Sequence, residues 1–377
     1  MLKVAIVGCG KVADDHVLQI QRIPGCSIVG VCDRERLMAR QLCERFYIAE
    51  YFDDVTEMLR VAQPDVVHVT TPPQSHSAIA KLCLEHGCHV YVEKPFSLDA
   101  KEARELIALA NERGLKITAG HDDQFSHVGL RMRALVQSGY LGEAPLHIES
   151  HYCYQLGADA YAGALLGDKR HWVRSLPGKL LHNIISHGIA RIAEFFTCDD
   201  PMVIAQGFTS PYLLSIGENE IIDELRVIIT DKQRTTAYFT FSSQIRPALH
   251  QLRLYGSLNG LILDQDNETL LKLRGGRYVS YAEKFIPPGE LAGQYLRNLL
   301  GNARRFLKND FHAKSGMKYL IQAFYRAIVD GGPLPIPYRE IILTGTIMDA
   351  IFSQLAMQQS VIRKAVNSQQ ERSWIYT

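Results

Sequence analysis

Two positions in this sequence carry side chains suited to proton exchange with an alcohol. Lys94 follows a short apolar run and precedes Pro95, so we expect it at the carboxyl end of a parallel strand, where open sheets bind ligands. His187 lies four residues after Asn183 in a stretch with helical spacing, which predicts that both side chains leave one face of a helix. An imidazole of ordinary pKa exchanges protons with an alcohol near neutral pH. Most lysines and histidines are exposed or structural, so these two need a surrounding site.

A glycine turn near the N-terminus is a candidate dinucleotide site. Gly8, Gly10 and Ala13 form the pattern G-x-G-x-x-A directly after an apolar strand and at the start of a helix. The first glycine permits the tight turn, the second lets the backbone approach a pyrophosphate, and the helix N-terminus offers free N–H groups. Asp33 ends the next strand, where an acid accepts hydrogen bonds from the adenosine ribose. Asp33 favours NAD, whereas the neighbouring Arg34 leaves NADP open because it could pair with a 2′-phosphate.

Short apolar runs alternate with helical patterns in the first third of the chain, which is typical of a parallel sheet covered on both faces. The predicted strands there are Lys3–Val7, Ser27–Cys32, Val66–Thr70, His89–Val92 and Lys116–Ala119. Alternating segments separated by polar turns then predict a meandering sheet, with strands at Leu146–Tyr154, Met202–Phe208, Leu225–Thr230, Thr235–Ser242, Leu249–Tyr255, Leu261–Leu263 and Leu270–Leu273. Helical patterns return at Lys314–Val329 and Arg339–Met357, and Trp374 and Tyr376 predict that the end of the polar tail packs.

Composition bounds the class of protein. The chain has 377 residues, with 41 Lys+Arg, 40 Asp+Glu and a formal net charge of +1. This length predicts two domains, because one domain usually has about 100–200 residues. The balanced charge argues against a nucleic-acid-binding protein, and no uncharged apolar stretch approaches the ~18–20 residues of a membrane span. The N-terminus shows no signal-peptide pattern, and the eight cysteines form no C-x-x-C pair, so we expect reduced thiols in a cytoplasmic protein.

Three segments together resemble the glucose–fructose oxidoreductase/inositol dehydrogenase family, Gfo/Idh/MocA. They are the glycine turn Gly8–His16, the segment Val69–His76, and Val92–Ser97 with its Glu-Lys-Pro motif. The resemblance implies an α/β Rossmann domain over residues 1–124. It implies an α+β domain with a large open, mostly antiparallel sheet over residues 125–377, for substrate binding and oligomerisation. It leaves open whether the C-terminal helix packs back on the first domain.

The resemblance also implies roles for particular residues. Lys94 would bond the reacting hydroxyl, Glu93 would help to hold the nicotinamide ribose, and His187 would be the acid/base, with Asn183 beside it. The cofactor-binding candidates for NAD, or NADP, are Gly8, Gly10, Lys11, Val12, Asp33, Arg34, Thr71, Pro72, His76, Glu93 and Lys94. The substrate-binding candidates are Asp122, Gln124, Tyr152, Trp172 and Arg174.

The sequence departs from the family pattern in the catalytic helix and in one loop. The family commonly has Asp where this chain has Asn183, and an Asp could raise the basicity of the imidazole whereas an Asn can only orient it. The usual triple glycine is reduced to Gly178-Lys179. Asp123 and Gln124 stand where relatives often carry an Arg before the aromatic. With these two side chains the pocket should prefer hydroxyls or a cation over a carboxylate.

These observations lead to one functional expectation with two alternatives. We expect an oxidoreductase that transfers a hydride between NAD(P) and a secondary alcohol or ketone of a sugar, cyclitol or nucleotide-linked sugar. The alternatives are redox-neutral sugar elimination or hydrolysis with retained NAD, and a non-catalytic NAD-binding regulatory protein. No metal is expected, because H-E-x-x-H is missing and His182 and His187 have the wrong spacing for one helical face. An open sheet face would be an exposed apolar liability, so we expect a homodimer or homotetramer.

Overall fold

The computed structural model describes residues 1–155, 165–231, 234–311 and 314–373, and the side chains up to Ser360. Trp374 and Tyr376, which predict a packed tail, lie outside the described residues. Within the described ranges the chain forms two sheets, each with its own hydrophobic core.

The first sheet is parallel and its strand order is β3-β2-β1-β4-β5-β6. Its strands are β1 Leu2–Val7, β2 Cys26–Cys32, β3 Tyr51–Phe52, β4 Val66–Val69, β5 His89–Val92 and β6 Ile117–Ala119. The helices that pack on this sheet are α1 Lys11–Ile20, α2 Arg36–Phe46, α3 Val55–Ala62, α4 His76–Glu85 and α5 Ala100–Glu112, whereas the next helix, α6 His127–Gln137, buries Val128 and Met132 in the core of the second sheet. This is the Rossmann order, and the predicted α/β class is confirmed. The strand order reverses between β1 and β4, which opens a crevice at their carboxyl ends.

The second sheet has seven strands in the order β13-β12-β11-β7-β10-β9-β8. They are β7 His147–Cys153, β8 Met202–Phe208, β9 Glu224–Thr230, β10 Thr236–Ser242, β11 Leu249–Tyr255, β12 Asn259–Asp264 and β13 Thr269–Arg274. Neighbouring strands are antiparallel except β7 and β10, which run parallel. The remaining helices, in chain order, are α7 Lys179–Ile184, α8 Ser186–Ala193, α9 Pro211–Ser215, α10 Ala282–Leu307, α11 Ser315–Val329 and α12 Tyr338–Ser373. The predicted open, mostly antiparallel sheet is thereby confirmed.

The last helices connect the two cores. From α11, the buried side chains of Met317, Leu320 and Phe324 join the core of the first sheet, so this late segment packs back on the Rossmann half. From α12, Ile347 and Ile351 are fully buried in the core of the second sheet. The two sheets are therefore held together by helices that follow both of them in sequence. The division of the chain at residues 124 and 125 stays a prediction.

Part of helix α12 is both long and apolar. By length and composition Tyr338–Ser360 could cross a membrane, with a mean hydropathy of 1.3. Its buried side chains Ile341, Ile347 and Ile351 lie in the protein's own cores. This packing accounts for part of the apolar composition of the helix, since 44% of the apolar window is buried within the protein.

Candidate active site

The glycine turn after β1 forms an open cradle. Gly8 has a φ of +99°, and a Cβ at this position would lie 2.7 Å from the main-chain nitrogen of Thr71, so only glycine fits between the first and fourth strands. Gly10 begins α1, and a Cβ there would meet nothing within 4 Å. The space over Gly10 and the free N–H groups of the helix therefore fit a pyrophosphate.

Asp33 lies at the end of β2, beside this turn. Its Oδ2 accepts a hydrogen bond from the Cys9 N–H at 2.7 Å, and its Oδ1 accepts one from the Glu35 N–H at 2.9 Å. A carboxylate has about four lone-pair sites, so Asp33 keeps acceptor capacity for ribose hydroxyls. Arg34 is the next residue, and its side chain is 92% exposed. Lys11 is exposed and Val12 half-buried on the first turn of α1.

The loops that follow β4 and β5 are tied together by one buried histidine. His76 contacts the carbonyl oxygen of Pro95 through Nδ1 and that of Thr71 through Nε2, both at 2.8 Å. Burial lowers the pKa of His76, although the two carbonyl contacts oppose the shift, and the neutral ring has one N–H and donates to one of the two carbonyl oxygens. The nitrogens of His76 are thus engaged in joining the loops, while Pro72 between them is exposed. His76 therefore positions the loops that flank the crevice.

Glu93 ends a buried chain of hydrogen bonds through the first sheet. Its Oε1 lies 2.9 Å from His16 Nε2, His16 Nδ1 lies 2.8 Å from His68 Nδ1, and His68 Nε2 lies 2.8 Å from the Tyr325 hydroxyl of α11. Every one of these atoms is satisfied if His16 donates to Glu93, His68 donates to His16, and Tyr325 donates to His68. Burial alone would raise the pKa of Glu93, but the hydrogen bond from His16 and the charge of Lys94 lower it to about 2. Glu93 is therefore a fixed carboxylate at the crevice.

Lys94 lies at the carboxyl end of β5, as predicted, and reaches across to the second half of the protein. Its Nζ donates to the main-chain oxygen of Asn183 on α7 at 3.1 Å. Burial lowers the pKa of Lys94, and the charge of Glu93 opposes this shift. An ammonium group of lowered pKa, held between the two sheets, can donate a hydrogen bond or a proton to a substrate oxygen.

His187 lies on α8 and is 9% exposed. Its Nδ1 lies 3.8 Å from Asp122 Oδ1 and 3.7 Å from Asp123 Oδ2, and its ring stacks on Tyr152 of β7 at a centroid distance of 5.9 Å. Burial lowers the pKa of His187 to about 4, against the opposing charge of Asp123. His187 is therefore neutral at physiological pH and able to accept a proton. Asn183 lies on α7, which ends at Ile184, so a helix break separates the predicted pair.

Asp123 supplies the negative charge that the sequence lacks at Asn183. It accepts hydrogen bonds from Arg191 Nη2 at 3.0 Å and from Gln265 Nε2 at 2.7 Å. Burial would raise the pKa of Asp123, but His187 and Arg191 keep it below its ordinary value. This pairing was missed from the sequence. The one signal for it is that Arg191 lies four residues after His187, on the same helix face.

Asp122, Asp123 and His187 also bring their ligand atoms within 4.8 Å of one another. A cation could in principle bind three such groups. The guanidinium of Arg191 already lies on Asp123, and burial together with the charge of Asp123 raises the pKa of Asp122. The guanidinium of Arg191 therefore already supplies a positive charge to this cluster, and we assign no metal to it.

Of the other substrate candidates, Gln124 contacts the helix that carries His187, whereas Trp172 and Arg174 contact other segments. Gln124 donates through Nε2 to Glu194 at 2.8 Å and packs against α8, so its amide fastens the loop to the helix. The side chain of Arg174 is 8% exposed and donates to Glu218 at 2.6 Å, which engages its guanidinium within the protein. Trp172 accepts a hydrogen bond on its main-chain oxygen from Gln74 at 2.9 Å, beside the loop after β4.

Comparisons with known proteins match mainly the part of the chain that contains the first sheet. Residues 2–121 match the family described as oxidoreductase family, NAD-binding Rossmann fold. The chain is 35% identical over 143 residues to D-glucoside 3-dehydrogenase of Escherichia coli, covering 38% of this chain and 41% of that protein. It is 30% identical over 149 residues to UDP-N-acetylglucosamine 3-dehydrogenase of Acidithiobacillus ferrooxidans, covering 40% and 44%. The chain thus spans less than half the length of these two relatives.

Solved structures share the fold over nearly the whole chain. The structure of the Acidithiobacillus ferrooxidans enzyme superposes with a TM-score of 0.69 at 19% identity, covering 93% of this chain and 96% of that one. An oxidoreductase from Agrobacterium radiobacter in complex with NAD+, L-tartaric acid and magnesium gives 0.70 at 14% identity, covering 94% and 96%. At such identities the likeness shows the fold alone. The sequence match agrees with the resemblance inferred from the motifs, because residues 2–121 match the family model of the Gfo/Idh/MocA oxidoreductases, which describes an NAD-binding Rossmann fold.

Proposed function

We propose that this protein is an NAD(P)-dependent dehydrogenase or reductase. It would act on a secondary alcohol or ketone of a sugar, cyclitol or nucleotide-linked sugar. The observation that carries the proposal is the meeting of a lysine and a neutral, carboxylate-flanked histidine from different elements beside the dinucleotide crevice. Lys94 extends from β5 to the main chain of α7, and its charge influences the pKa of His187 on α8.

The cofactor would lie along the edge formed by Gly8, Gly10 and Asp33, with Glu93 and Lys94 at the nicotinamide end. NAD(P) supplies the hydride acceptor or donor in such a reaction. The open space over Gly10 and the spare acceptor capacity of Asp33 support this placement. Asp33 favours NAD because its charge opposes a 2′-phosphate, whereas the exposed Arg34 would tolerate one.

We assign different roles at the substrate oxygen to His187, Asp123 and Lys94. In the oxidation direction neutral His187 would take the hydroxyl proton, and in reduction the imidazolium would return it. Asp123 would stabilise the imidazolium through its charge, at 3.7 Å from Nδ1. Lys94 would stabilise negative charge that develops on the same oxygen. Asn183 would contribute its main-chain oxygen as the anchor of Lys94.

We also propose that the protein is a homodimer or homotetramer and acts in the cytoplasm. The outer face of the second sheet exposes large apolar side chains, namely Met202, Ile204, Phe208, Ile228 and Tyr238. An exposed apolar face of this kind is typical of an interface. All eight cysteines are free thiols, which suits a reducing compartment. Light scattering of the purified protein tests the assembly, and a monomer at micromolar concentration would contradict it.

The function is tested by following NADH and sugar product in the same reaction. NADH and ketone formed in equal amounts, with loss of both in Lys94→Met and His187→Gln, would support a dehydrogenase. Product formed without NADH would favour redox-neutral chemistry with retained NAD. Tight NAD binding with neither product nor NADH across the sugar panel would favour a regulatory protein.

A further inference from the structure

Helix α10 is attached to the edge of the second sheet by its polar side. Gln294 accepts a hydrogen bond from the Lys272 N–H at 2.7 Å and donates one to the Lys272 carbonyl oxygen at 3.0 Å. One turn later, Asn298 contacts the N–H and the carbonyl oxygen of Leu270 in the same way, at 3.5 and 3.0 Å. These amides occupy main-chain groups that an edge strand leaves open. Helix α10 therefore continues the sheet as an eighth element beside β13.

The opposite side of α10 is apolar and exposed. Its large apolar side chains are between 53% and 84% exposed, namely Tyr295, Leu296, Leu299, Leu300, Phe306 and Leu307. Their spacing of three, four and seven residues places them on one side of the helix, away from Gln294 and Asn298. A surface helix of a globular protein normally shows the reverse arrangement, with its polar side in water. The apolar side of α10 is therefore a candidate contact surface.

Part of this apolar side borders the outer face of the second sheet. Leu270 points into the core of the sheet, so the side chain of its neighbour Thr269 points to the outer face. Thr269 lines one groove together with Tyr295, Leu296 and Leu299 of α10. The outer face is thus continuous with apolar side chains of α10 along the β13 edge.

A second apolar patch lies on the outer face at the opposite edge of the sheet. Ile204 of β8 and Ile228 of β9 are paired in register, are 52% and 39% exposed, and alternate with core residues. Register pairs connect Leu270 of β13 across all seven strands to Ala205 of β8. Leu299, beside the contact of α10 with Leu270, therefore lies at nearly the same level along the strands as Ile204.

The centre of the outer face is polar and can pair with a second copy of itself. Glu149 of β7 is directly opposite Arg253 of β11, and their side chains approach to 3.4 Å. A two-fold axis that runs along the strands between β7 and β11 would place Glu149 of each copy over Arg253 of the other. The same axis would place α10 of each copy over β8 of the other. Sheets packed face to face keep their strand directions within about 30° of each other, which this axis allows.

The charges of the two edges favour this orientation. From β13 to the end of α10, residues 269–307 contain seven Lys or Arg and two Glu. From β8 to the end of β9, residues 202–230 contain four Asp or Glu and one Arg. The axis along the strands brings the basic edge of each copy to the acidic edge of the other. An axis across the strands would instead bring like charges together.

We propose that this face is a homodimer interface in which α10 of each copy packs on β8 and β9 of the other. The inference rests on the proposed homo-oligomer and specifies its contacts. With α10 included, the face measures roughly 40 by 24 Å. The resulting area of about 900 Å² per copy reaches the ~800 Å² per partner of a standard interface. The apolar side of α10 is thereby removed from water, which explains its orientation.

The test uses two charge variants of the full chain in sedimentation velocity. Leu299→Lys on α10 and Ile204→Glu on β8 each place an unpaired charge in both of the proposed contacts. We expect each variant to associate at least about tenfold more weakly, which corresponds to about 1.4 kcal/mol. In an equimolar mixture, one contact of the heterodimer joins the two opposite charges and the other is unmodified. The mixture should therefore associate at least about tenfold more tightly than either variant alone.

Two further measurements control the comparison. Leu37→Lys, at a leucine that is 64% exposed on α2, should associate as the unmodified protein does. The pair Leu296→Lys and Ile228→Glu repeats the test at neighbouring positions and replaces any pair in which circular dichroism shows an unfolded variant.

The inference is overturned if either variant associates as tightly as the unmodified protein, or if the mixture stays as weakly associated as its components. In both cases the proposed homo-oligomer stands and the contact of α10 with β8 falls. A monomeric unmodified protein, including one that binds phosphatidylserine vesicles, would overturn the inference and the homo-oligomer together. The dehydrogenase function is judged separately, by NADH formation in the unmodified protein.

Discussion

Replacing Asp123 with Asn should make His187 a weaker base. Asp123 Oδ2 lies 3.7 Å from His187 Nδ1, and an opposite charge within about 4–6 Å usually shifts a pKa by about 1–3 units. Arg191 partly offsets the charge of Asp123, so we expect the low end, about one unit or about 1.4 kcal/mol. The charge of Asp123 favours the imidazolium, so its loss must lower the pKa of His187 further below about 4.

Ionisation of Asp122 would partly offset the fall in the pKa of His187 that Asp123→Asn causes. Its raised pKa owes part of the shift to Asp123, so without that charge Asp122 ionises more readily and partly replaces it at 3.8 Å from His187. The double variant Asp122→Asn/Asp123→Asn should therefore lower the pKa of His187 more than the single one. The turnover number for sugar oxidation should fall by about threefold to tenfold for each unit of lost basicity.

NMR titration of the His187 ring measures the shift directly, with His187→Gln to assign the signal. Asp200→Asn, at an exposed acid, is the matched control and should leave the midpoint unchanged. A midpoint in the double variant equal to or higher than that of the unmodified protein would refute the proposed pairing of His187 with the two carboxylates.

Three further predictions concern Lys94, the buried hydrogen bonds that link Glu93 to Tyr325, and stability at acid pH. Lys94→Met should lower the turnover number by about 10²–10³-fold while leaving the calorimetric NAD affinity within a few-fold; retained turnover would remove Lys94 from the chemistry. Tyr325→Phe leaves His68 Nε2 without its donor and should cost about 1–3 kcal/mol in urea unfolding, whereas Tyr212→Phe, at an exposed tyrosine, should cost nothing. His182 is buried against Phe352, and burial lowers its pKa to about 4, so its contribution to stability is complete above pH 6.5 and is lost as pH falls toward 4. At pH 5 this loss is about 2 kcal/mol of the free energy of unfolding. The free energy of unfolding of His182→Leu should therefore fall less between pH 8 and pH 5 than that of the unmodified protein. An equal fall in the two proteins would contradict the lowered pKa of His182.

The first sheet could be read from the sequence because its strands are buried on both faces. β1 and β4 are nearly continuous apolar runs, and such runs between helical patterns indicate a parallel sheet. β3 was missed because Tyr51–Phe52 is too short for any periodicity. Helix α10 was also missed: it contains Pro287 and Pro288, which normally mark a helix end, and in the fold it continues through them with most of its surface exposed.

The site was predictable in part. The positions of Lys94 and Asp33 follow from strand ends, which sequence patterns locate well. The contact of Asp123 with His187 could not be predicted, because it joins a loop after β6 to a helix more than sixty residues later. No local pattern encodes such a contact, since it depends on how the two sheets are held together by α11 and α12. The series of hydrogen bonds from Glu93 to Tyr325 could not be predicted for the same reason.

Calorimetric titration of NAD, NADH, NADP and NADPH tests the central claim most directly. Asp33→Ala should weaken NAD and NADH binding by at least about tenfold, because hydrogen bonds from the ribose to a charged acceptor are worth about 1.5–3 kcal/mol. Asp200→Ala, at an exposed acid, should leave the affinities unchanged. Tight NAD(H) binding that depends on Asp33 is the predicted result. Failure of all four nucleotides to bind, or NAD binding that is unaffected by Asp33→Ala, would contradict the account.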